Sequence, residues 1–402
     1  MAKFRIAITG VTGLVGRNLL FEIIKQNISN LDKLEIFVLG RHSKSADIRE
    51  RIFNILKDDG VYYISSDCNV REMVLQTMDS FIKCISIKLE EPSLSLKDDD
   101  FRKLSKEPID IFFHLAALTD LRHGPIVERK VREINVNGTL HILSLISRLN
   151  VGQFCYGGTA YCCGNVSGKV SPDFINLGGT FRNPYEKTKL EAEMLVRGYA
   201  RMTGQRIKIF RISVVCGRLI EQPLGAVSKF DVFYGWAAFF GWMKLREKGV
   251  SEENLFREKI DLDMRICFNK DSGLNIVAVD YVAKVICLLV KQNSIIECHI
   301  TAPKPTPHSL YLLYMIDIFN IRGVRHVAEI PTHQNRLERK YYKSVGKFFT
   351  PYINSMPLSF DISNLIPILK QGSLICPPIN KKNLAILSEY AKKYNFGIIK
   401  RQ

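Results

Sequence analysis

The stretch GVTGLVG, residues 10–16, joins an apolar, β-rich run (residues 4–9) to a segment of helical periodicity (residues 18–24). The order predicts a strand, a tight glycine turn and a helix whose first amides hold a nucleotide phosphate. Gly10 permits the sharp turn, Gly13 lets backbone approach phosphate, and Gly16 lets the helix pack closely. The alternative is a structural βα turn without a ligand. The predicted contacts of the turn are Gly10, Thr12, Gly13, Leu14, Val15 and Gly16.

A tyrosine and a lysine are spaced i and i+4 in YEKTK, residues 185–189. On a helix Tyr185 and Lys189 share one face, and an ammonium beside a phenol favours the phenolate. Moving the Tyr pKa from about 10 towards 7 needs roughly 4 kcal/mol of differential stabilisation. The pattern alone is common on surface helices. Its position after the glycine turn predicts that Tyr185 exchanges a proton with a substrate oxygen.

A threonine follows an apolar stretch in YGGTAY, residues 156–161. At the carboxyl end of a parallel strand, where ligands bind in α/β sheets, the Thr159 hydroxyl is placed to hydrogen-bond a substrate carbonyl. The alternative is an ordinary turn hydroxyl.

Together these residues resemble the extended short-chain dehydrogenase/reductase superfamily, over residues 3 to about 290. The resemblance implies that Leu115, Ala116 and Ala117 of the FHLAA motif lie beside the cofactor. It also implies catalytic roles for Thr159, Tyr185 and Lys189, with Asn135 in a proton relay and Lys189 on the nicotinamide ribose. The matching motifs are GVTGLVG at 10–16, FHLAA at 113–117, NVNGT at 135–139 and NIVAVDYV at 275–282.

Within the superfamily, several segments are most similar to thioester reductases and fatty-acyl reductases, the male-sterility-type branch. These segments are residues 37–43, 46–56, 91–96, 110–114 and 183–193. The chain departs from that pattern at two places. Either Lys88 or Glu90 stands where an acidic residue often lies near the adenine, and Ile212 replaces the proline after the sixth-strand arginine.

The end of the second predicted strand indicates the cofactor. An acidic residue there would bind the ribose hydroxyls of NAD and repel a 2′-phosphate, but this chain has Gly40-Arg41-His42-Ser43. The guanidinium of Arg41 suits a phosphate, Ser43 adds a hydroxyl, and Arg51 is a second candidate clamp. NADP(H) is therefore predicted rather than NAD(H). The alternative is a solvated charged loop.

Strand and helix patterns alternate up to about residue 215, which predicts an α/β doubly wound parallel sheet of the Rossmann type. The predicted dinucleotide-binding domain is 1–215, with 274–300 returning to it. A smaller, mostly helical C-terminal substrate cap is predicted from 216–273 and 301–402. The aromatic stretch 232–243 has three interpretations: the wall of an acyl tunnel, the core of the cap, or a helix of a homodimer.

Composition favours a cytoplasmic enzyme. Residues 4–8 run directly into the glycine turn without a signal pattern, and the aromatic stretch 232–243 is too short for a membrane span of about 20 residues. The 10 cysteines have no paired or metal-binding spacing. We therefore expect a reducing compartment and no bound metal.

The net charge of +17 is spread along the chain without an arginine-rich arm, so no nucleic-acid partner is expected. Dinucleotide phosphates, coenzyme A or an acyl carrier protein are the anionic partners considered, against a general compositional bias. The cap offers a candidate carrier patch, whose alternative is a solvated helix face. Its residues are Arg336, Arg339, Lys340, Lys343 and Lys347, interleaved with Tyr341, Tyr342, Phe348 and Phe349.

The sequence thus predicts an NADP(H)-dependent oxidoreductase that reduces a small-molecule or carrier-bound acyl thioester to aldehyde or alcohol. One alternative is a nucleotide-sugar epimerase or dehydratase, or a hydroxysteroid-type dehydrogenase, of the same superfamily. Another is a non-catalytic dinucleotide sensor or scaffold, which would not need Thr159, Tyr185 and Lys189 together.

Overall fold

The computed structural model describes residues 3–43 and 45–398. Short segments of strongly apolar, β-branched sequence form the strands, which are joined by helices as the alternating pattern predicts. The strands are β1 Phe4–Thr9, β2 Leu34–Gly40, β3 Ile82–Ser86, β4 Ile109–His114, β5 Val151–Thr159, β6 Gly168–Val170, β7 Ile207–Ile212, β8 Val214–Cys216, β9 Ile260–Cys267, β10 Gly273–Leu274, β11 Ile276–Ala278, β12 Glu297–Ile300, β13 Thr306–Pro307, β14 Ile321–Val327 and β15 Leu358–Phe360.

Helices fill most of the connections. The α-helices are α1 Leu14–Gln26, α2 Ile48–Ile55, α3 Val61–Ile64, α4 Cys68–Phe81, α5 Asp98–Ser105, α6 Pro125–Arg132, α7 Gly138–Ile146, α8 Pro184–Thr203, α9 Phe233–Glu247, α10 Val279–Leu289, α11 His308–Ile318, α12 Arg336–Lys343, α13 Val345–Ile353, α14 Ile366–Gln371 and α15 Lys381–Lys393. Two π-helical turns, Leu56–Gly60 and Glu133–Asn137, interrupt longer helical stretches. Such turns occur frequently at functional sites.

Seven parallel strands form the central sheet, in the order β3-β2-β1-β4-β5-β7-β12. The order reverses between β1 and β4, whose register places Thr9 opposite His114 at the carboxyl ends. A crevice opens at such a reversal, and open α/β sheets bind their ligands there. The doubly wound parallel sheet predicted from the sequence is confirmed.

Both faces of the sheet are covered, which explains why its strands are apolar throughout. On β1, Ile6 and Ile8 point into one buried core, and Ala7 between them points into a second core on the opposite face. Helices α1 and α10 pack together on the first face. The alternation fixes the register of β1, and with it the direction in which the glycine turn leaves the sheet.

Residues 217–273 and 301–353 build a second layer that is largely helical. Strands β9 and β14 pair in parallel. Helix α11 packs on β14 and α12 on β9, and α9 packs on α11 and α13. Trp236 on α9 is fully buried and donates a 3.0 Å hydrogen bond from Nε1 to the hydroxyl of Tyr341. The aromatic stretch of α9 therefore forms the core of this layer, as one of its three interpretations predicts.

The C-terminal segment returns to the side of the central sheet and forms a separate two-stranded sheet there. Strand β15 pairs with β6, and the amide of Asp361 donates to the carbonyl of Val170 at 2.8 Å. Asn364 Nδ2 donates to the carbonyl of Glu297 beside the edge strand β12. The division into 1–215 with 274–300, and a cap of 216–273 with 301–402, stays a prediction, and residues 358–364 lie against its sheet side.

Across the described residues, 3–43 and 45–398, the structure contains no helix of the length and apolarity that crossing a bilayer requires. The longest helix, α8, spans 20 residues and carries charged side chains throughout.

Candidate active site

One cavity of about 900 Å³ lies at the carboxyl ends of β1 and β4, at the upper end of the size usual for ligand pockets. Its wall runs from the glycine turn past the ends of β2, β4, β5 and β7 to the second layer. It is lined by Gly10, Thr12, Gly13, Leu14, Val15, Gly16, Arg17, Arg41, Arg51, Leu115, Ala116, Ala117, Thr119, Thr159, Tyr185 and Lys189, among others. The structure thus brings together most residues that the sequence analysis selected.

The glycine turn has the close contacts that the sequence predicts. Gly10 adopts φ +82°, and a Cβ at this position would lie 2.6 Å from the amide nitrogen of Ala116. A Cβ on Gly16 would lie 2.2 Å from the carbonyl oxygen of Gly10. A Cβ on Gly13 would meet only that carbonyl oxygen, at 3.2 Å. Gly10 and Gly16 therefore allow close backbone packing, and Gly13 leaves the start of α1 accessible from the cavity.

Two arginines border the cavity at the end of β2. Arg51 Nη1 donates a 2.6 Å hydrogen bond to the carbonyl oxygen of Arg41, and both residues line the cavity. Partial burial, and then the charge of Arg41, lower the pKa of Arg51. This bond holds the Arg51 guanidinium beside the backbone of Arg41, and two cations on one cavity wall favour a bound anion. The pair fits the phosphate clamp predicted from the sequence.

Ser43 does not line the cavity with Arg41. Its Oγ accepts from the amide of Ala46 at 2.9 Å and contacts the carbonyl oxygen of the same residue at 3.0 Å. A serine hydroxyl commonly closes a turn in this way. Its predicted contact with the cofactor therefore lacks support from its position and stays a prediction. Lys88 and Glu90, the two candidates for the predicted adenine contact, both line the cavity, so the choice between them stays open.

The FHLAA motif is fixed by the buried imidazole of His114. His114 Nδ1 lies 2.8 Å from Thr9 Oγ1, and Nε2 lies 3.2 Å from Thr139 Oγ1. Thr9 Oγ1 accepts a hydrogen bond from the amide of Ala116. Burial lowers the pKa of His114 to about 3, so its ring stays neutral near pH 7. This chain of contacts ties β1 to β4 and places residues 115–117 against the cavity.

Tyr185 lies in the first turn of α8, facing the hydroxyls of two threonines. Burial raises the pKa of Tyr185 to about 12, although hydrogen bonds with Thr119 and Thr159 act in the opposite direction. This shift differs from the lowered pKa that the i, i+4 spacing predicts, because the loss of hydration outweighs the favourable contacts. The phenol is therefore neutral near pH 7 and is a proton donor in that form.

Lys189 is buried against β5 one turn further along α8. Its Nζ donates a 2.6 Å hydrogen bond to the carbonyl oxygen of Gly157 and lies 4.2 Å from the centre of the Tyr156 ring. Burial lowers the pKa of Lys189 to about 7, and the carboxylate of Glu193 opposes that shift. The lysine therefore changes charge near neutral pH while it remains fixed to the wall of the cavity.

Asn135 stands behind the cavity wall. Its Oδ1 accepts from the amide of Leu118 at 2.8 Å, and its Nδ2 donates to the carbonyl of Leu118 and to Thr188 Oγ1. These bonds occupy the side chain and connect the π-helical turn to the 115–121 loop and to α8. The structure does not place this side chain at the cavity surface, and its proton-relay role stays a prediction.

The second layer closes the cavity with mainly apolar side chains. Ring and aliphatic groups come from the segment before α9, from β10 and from α13. They belong to Val232, Leu274, Phe349, Tyr352 and Ile353. Lys130 and Lys229 also line the cavity and are exposed to solvent.

The sequence profile described as "Male sterility protein" matches residues 8–286, more than half of the chain. The chain belongs to the male sterility protein family. This match confirms the resemblance to the extended short-chain dehydrogenase/reductase superfamily and the expectation of an NAD(P)-dependent enzyme of that type. The cavity that contains the glycine turn, Tyr185 and Lys189 is therefore the candidate active site of a family member.

Solved structures and a curated relative give the range of similar proteins. The terminal R domain from the myxalamid PKS-NRPS pathway is 22% identical, with TM-score 0.71, covering 100% of this chain and 92% of that one. A UDP-glucuronic acid 4-epimerase from Bacillus cereus, in complex with NAD, is 14% identical, with TM-score 0.61 and 97% of each chain covered. A UDP-glucose 4-epimerase from Mycoplasma genitalium is 25% identical over 239 residues. That alignment spans 58% of this family member and 57% of the epimerase.

Four residues of this family member's site have no place in the sequence prediction. Arg17 and Thr119 line the cavity, one directly after the third glycine and one shortly after FHLAA, so each neighbours a motif that could have indicated it. Glu186 follows Asn183 by three residues, a helix-start signature. Tyr352 lies 166 residues from its hydrogen-bond partner Glu186, and no local pattern points to it.

Proposed function

We propose that the protein is an NADP(H)-dependent reductase of acyl thioesters. One observation carries the proposal: a single cavity joins the arginine pair Arg41 and Arg51 to the trio Thr159, Tyr185 and Lys189. The first group suits a phosphorylated dinucleotide, and the second suits proton transfer to a carbonyl oxygen. The family match and the fold shared with the myxalamid R domain support the choice of reductase.

The residues fit the nicotinamide cofactor. The tight glycine turn leaves the amides at the start of α1 accessible, and helix N-termini bind phosphate through such amides and the helix dipole. Arg41 and Arg51 would hold the 2′-phosphate, residues 115–117 would border the nicotinamide, and Lys189 would hold its ribose. When bound, NADPH supplies a hydride for the substrate carbonyl. Arg17 is a further phosphate ligand in this proposal, since it lines the cavity and its Nε has no hydrogen-bond partner among residues 3–43 and 45–398.

The chain's own groups hold the substrate oxygen and supply the proton. Thr159 Oγ1 and the Tyr185 hydroxyl donate to the carbonyl oxygen and stabilise the negative charge that develops on it. Tyr185 gives its proton to that oxygen, and Lys189 stabilises the phenolate that results. Asn135 keeps the wall in place and serves the predicted relay from solvent. The balanced reaction consumes thioester, NADPH and one proton and releases aldehyde, thiol and NADP⁺.

In this proposal, the second layer binds the acyl chain of the substrate. Its apolar wall, including Val232, Leu274 and Phe349, accommodates a hydrocarbon chain more readily than a sugar ring, whose hydroxyls need polar partners. Lys130 is an exposed cation on the same cavity, suited to the phosphate of a pantetheine arm, whereas Lys229 is already paired with Asp231. In this proposal, cap residues 216–273 and 301–402 choose the substrate.

A carrier-bound substrate is consistent with the surface beside that wall. Helix α13 contributes Phe349 and Tyr352 to the cavity and exposes Lys347 on its outside. Glu247, the last residue of α9, pairs with Arg336 and Lys340 of the adjacent α12 and neutralises part of the basic patch. Exposed Lys343 and Lys347 are therefore the candidate contacts for an acyl carrier protein. A solved thiolation-reductase di-domain, 19% identical with TM-score 0.64, shows that this fold occurs fused to a thiolation domain.

The test uses the full chain with NADPH and a panel of acyl-coenzyme A and acyl-carrier thioesters. Loss of NADPH absorbance and appearance of thiol are followed together. We expect one thiol to be released for each NADPH that is oxidised in the reduction of thioester to aldehyde. Further NADPH is consumed only if the aldehyde is reduced to alcohol. Tyr185→Phe is the matched inactive control. Oxidation of NADPH without thiol release, or no turnover of any thioester, contradicts the proposal.

A second candidate is a nucleotide-sugar epimerase or dehydratase. The similarity to the Mycoplasma genitalium epimerase favours it, and the same tyrosine, threonine and lysine would serve that chemistry. Arg41 argues against it, because such enzymes favour an acidic residue that binds the NAD ribose. Incubation with UDP-glucose and NAD, followed by separation of the sugar nucleotides, distinguishes the two. Conversion of UDP-glucose without thioester turnover would replace the first proposal by the second.

A further inference from the structure

A tyrosine of the second layer is bonded to the helix that carries Tyr185. Tyr352, near the end of α13, lines the cavity with its side chain. Its hydroxyl donates a 2.7 Å hydrogen bond to Glu186 Oε1 and accepts a 2.6 Å hydrogen bond from Asn183 Nδ2. Both partners lie in the first turn of α8, on either side of Tyr185 in sequence.

These partners are the groups that form the start of α8. Asn183 is the N-cap, and its Oδ1 accepts from the amide of Glu186 at 3.0 Å. Glu186 Oε2 in turn accepts from the amide of Arg182 at 3.1 Å. The orientation of the first helical turn depends on such reciprocal bonds, because its amides have no partners within the helix. The Tyr352 hydroxyl joins the two capping side chains from outside the helix.

The ring of Tyr352 is itself held in place. Tyr161 meets it edge to face with ring centres 5.7 Å apart, and the guanidinium of Arg182 lies 5.2 Å from its centre. Arg182 is buried and paired with Glu186. The hydroxyl is thereby fixed over the start of α8, since the ring cannot turn away without displacing a buried ion pair.

We propose that Tyr352 is a positioning residue that sets the orientation of Tyr185 from the cap. The inference rests on the proposed function in one respect, the role of Tyr185 as proton donor. Without the Tyr352 hydroxyl, the Asn183 amide and the Glu186 carboxylate each lose a partner, and the first turn of α8 loosens. Tyr185 then meets the substrate oxygen less often in the reactive geometry, to which turnover is sensitive. Nucleotide binding, at the glycine turn, stays unaffected.

The test compares the unaltered full chain with Tyr352→Phe, which retains the ring. Tyr311→Phe is the matched control, because it removes another buried hydroxyl of the second layer, one that is bonded to His308 Nδ1 at 2.8 Å rather than to α8. For Tyr352→Phe we expect kcat to fall about ten-fold, the equivalent of one net hydrogen bond, with both KM values within about two-fold. Hydrogen exchange of the peptide 183–190 should be about ten-fold faster, and that of residues 10–17 unchanged.

Unchanged exchange of 183–190 in Tyr352→Phe would overturn the proposal. Faster exchange with unchanged kcat would also overturn it, since the hydroxyl would then be structural only. The proposed function is judged separately, on the unaltered protein. If that protein converts UDP-glucose and no thioester, kcat and KM are compared with the sugar nucleotide, because that chemistry uses the same phenol. If it turns over neither substrate, the exchange of 183–190 decides.

Discussion

The ammonium of Lys189 donates a 2.6 Å hydrogen bond to the carbonyl oxygen of Gly157. The bond fixes α8 to β5 two residues before Thr159, and so holds the threonine, the lysine and Tyr185 on one wall of the cavity. It also buries a charge, and burial lowers the pKa of Lys189 to about 7. The charge of the group that we propose to hold the ribose therefore varies in the neutral pH range.

Nucleotide capture should depend on pH through Lys189. The ammonium is present below about pH 7, so kcat/KM for NADPH, which reports the free enzyme, should fall as pH rises through that value. Lys189→Arg should remove the fall, because a guanidinium stays charged. Lys187→Ala, at an exposed position of the same helix, should leave the profile unchanged. A flat profile to pH 9 in the unaltered protein would contradict the assignment.

The same pKa shift affects folding. Because the folded-state pKa of Lys189 lies below its ordinary value, the unfolded chain binds more protons between about pH 7 and the ordinary value of about 10.4. This group therefore makes the free energy of unfolding rise with pH across that window. Denaturant titrations of the unaltered protein and Lys189→Met at several pH values measure this contribution. The free energy of unfolding of Lys189→Met minus that of the unaltered protein should fall as pH rises.

Tyr185→Phe removes one oxygen from the cavity. We expect turnover to fall by at least the roughly hundred-fold typical of losing a general acid, with nucleotide affinity nearly unchanged. Tyr199→Phe removes a phenol from the same helix outside the cavity and should retain full turnover. Steady-state kinetics with the thioester that the panel of acyl substrates selects provide the measurement. Near-normal turnover by Tyr185→Phe would place the chemistry elsewhere.

The arginine pair should determine cofactor preference. A charge-assisted contact with phosphate contributes roughly 1.5–3 kcal/mol, so NADPH should bind about ten- to a hundred-fold tighter than NADH. Arg41→Ala should remove most of that difference. Arg49→Ala is the matched control, since Arg49 lies on the same helix as Arg51 but pairs with Asp79. Fluorescence titration with both nucleotides measures the ratio, and equal affinities in the unaltered protein would refute the assignment.

Gly16 should not tolerate a side chain. A Cβ there would lie 2.2 Å from the Gly10 carbonyl oxygen, so α1 would have to move away from β1. We expect Gly16→Ala to lower the free energy of unfolding by about 2 kcal/mol and to weaken nucleotide binding. Gly198→Ala lies within α8, where a Cβ would meet no described atom within 4 Å outside the adjacent helical backbone, and should instead stabilise by about 0.5–1 kcal/mol. Denaturant unfolding measures both, and normal nucleotide affinity in Gly16→Ala would contradict this account of the turn.

Charge reversal on α12 and α13 separates carrier-bound from free substrates. Lys343→Glu with Lys347→Glu should raise KM for an acyl-carrier thioester about ten-fold and leave KM for the acyl-coenzyme A thioester unchanged. The control pair is Lys381→Glu with Lys382→Glu, exposed at the start of α15. An equal effect of both pairs would indicate general electrostatic attraction rather than docking on α12 and α13.

The sequence predicts local features of the site better than long-range ones. The glycine turn, the FHLAA loop and the Tyr185–Lys189 helix each follow from a short segment in which strand, turn and helix signals agree. The raised pKa of Tyr185 does not follow from its spacing to Lys189, because burial depends on the whole surrounding fold. The predicted cofactor contact of Ser43 lacks support for a local reason, because its hydroxyl closes its own turn. The bonds of Tyr352 to α8 connect segments about 170 residues apart in the chain and could not be predicted from one sequence.

The return of the C-terminal segment constrains movement. The chain leaves the central sheet after β12 and returns beside it directly after β15, where His299 Nδ1 of β12 lies 3.0 Å from the carbonyl oxygen of Asp361. Residues 301–357 are thus anchored at both ends, and the two anchors are adjacent. Such a segment cannot open as a flap that is held at one end, and its strands β13 and β14 also pair with β10 and β9. A protease nick within 301–357 would leave two fragments that still co-purify under native conditions.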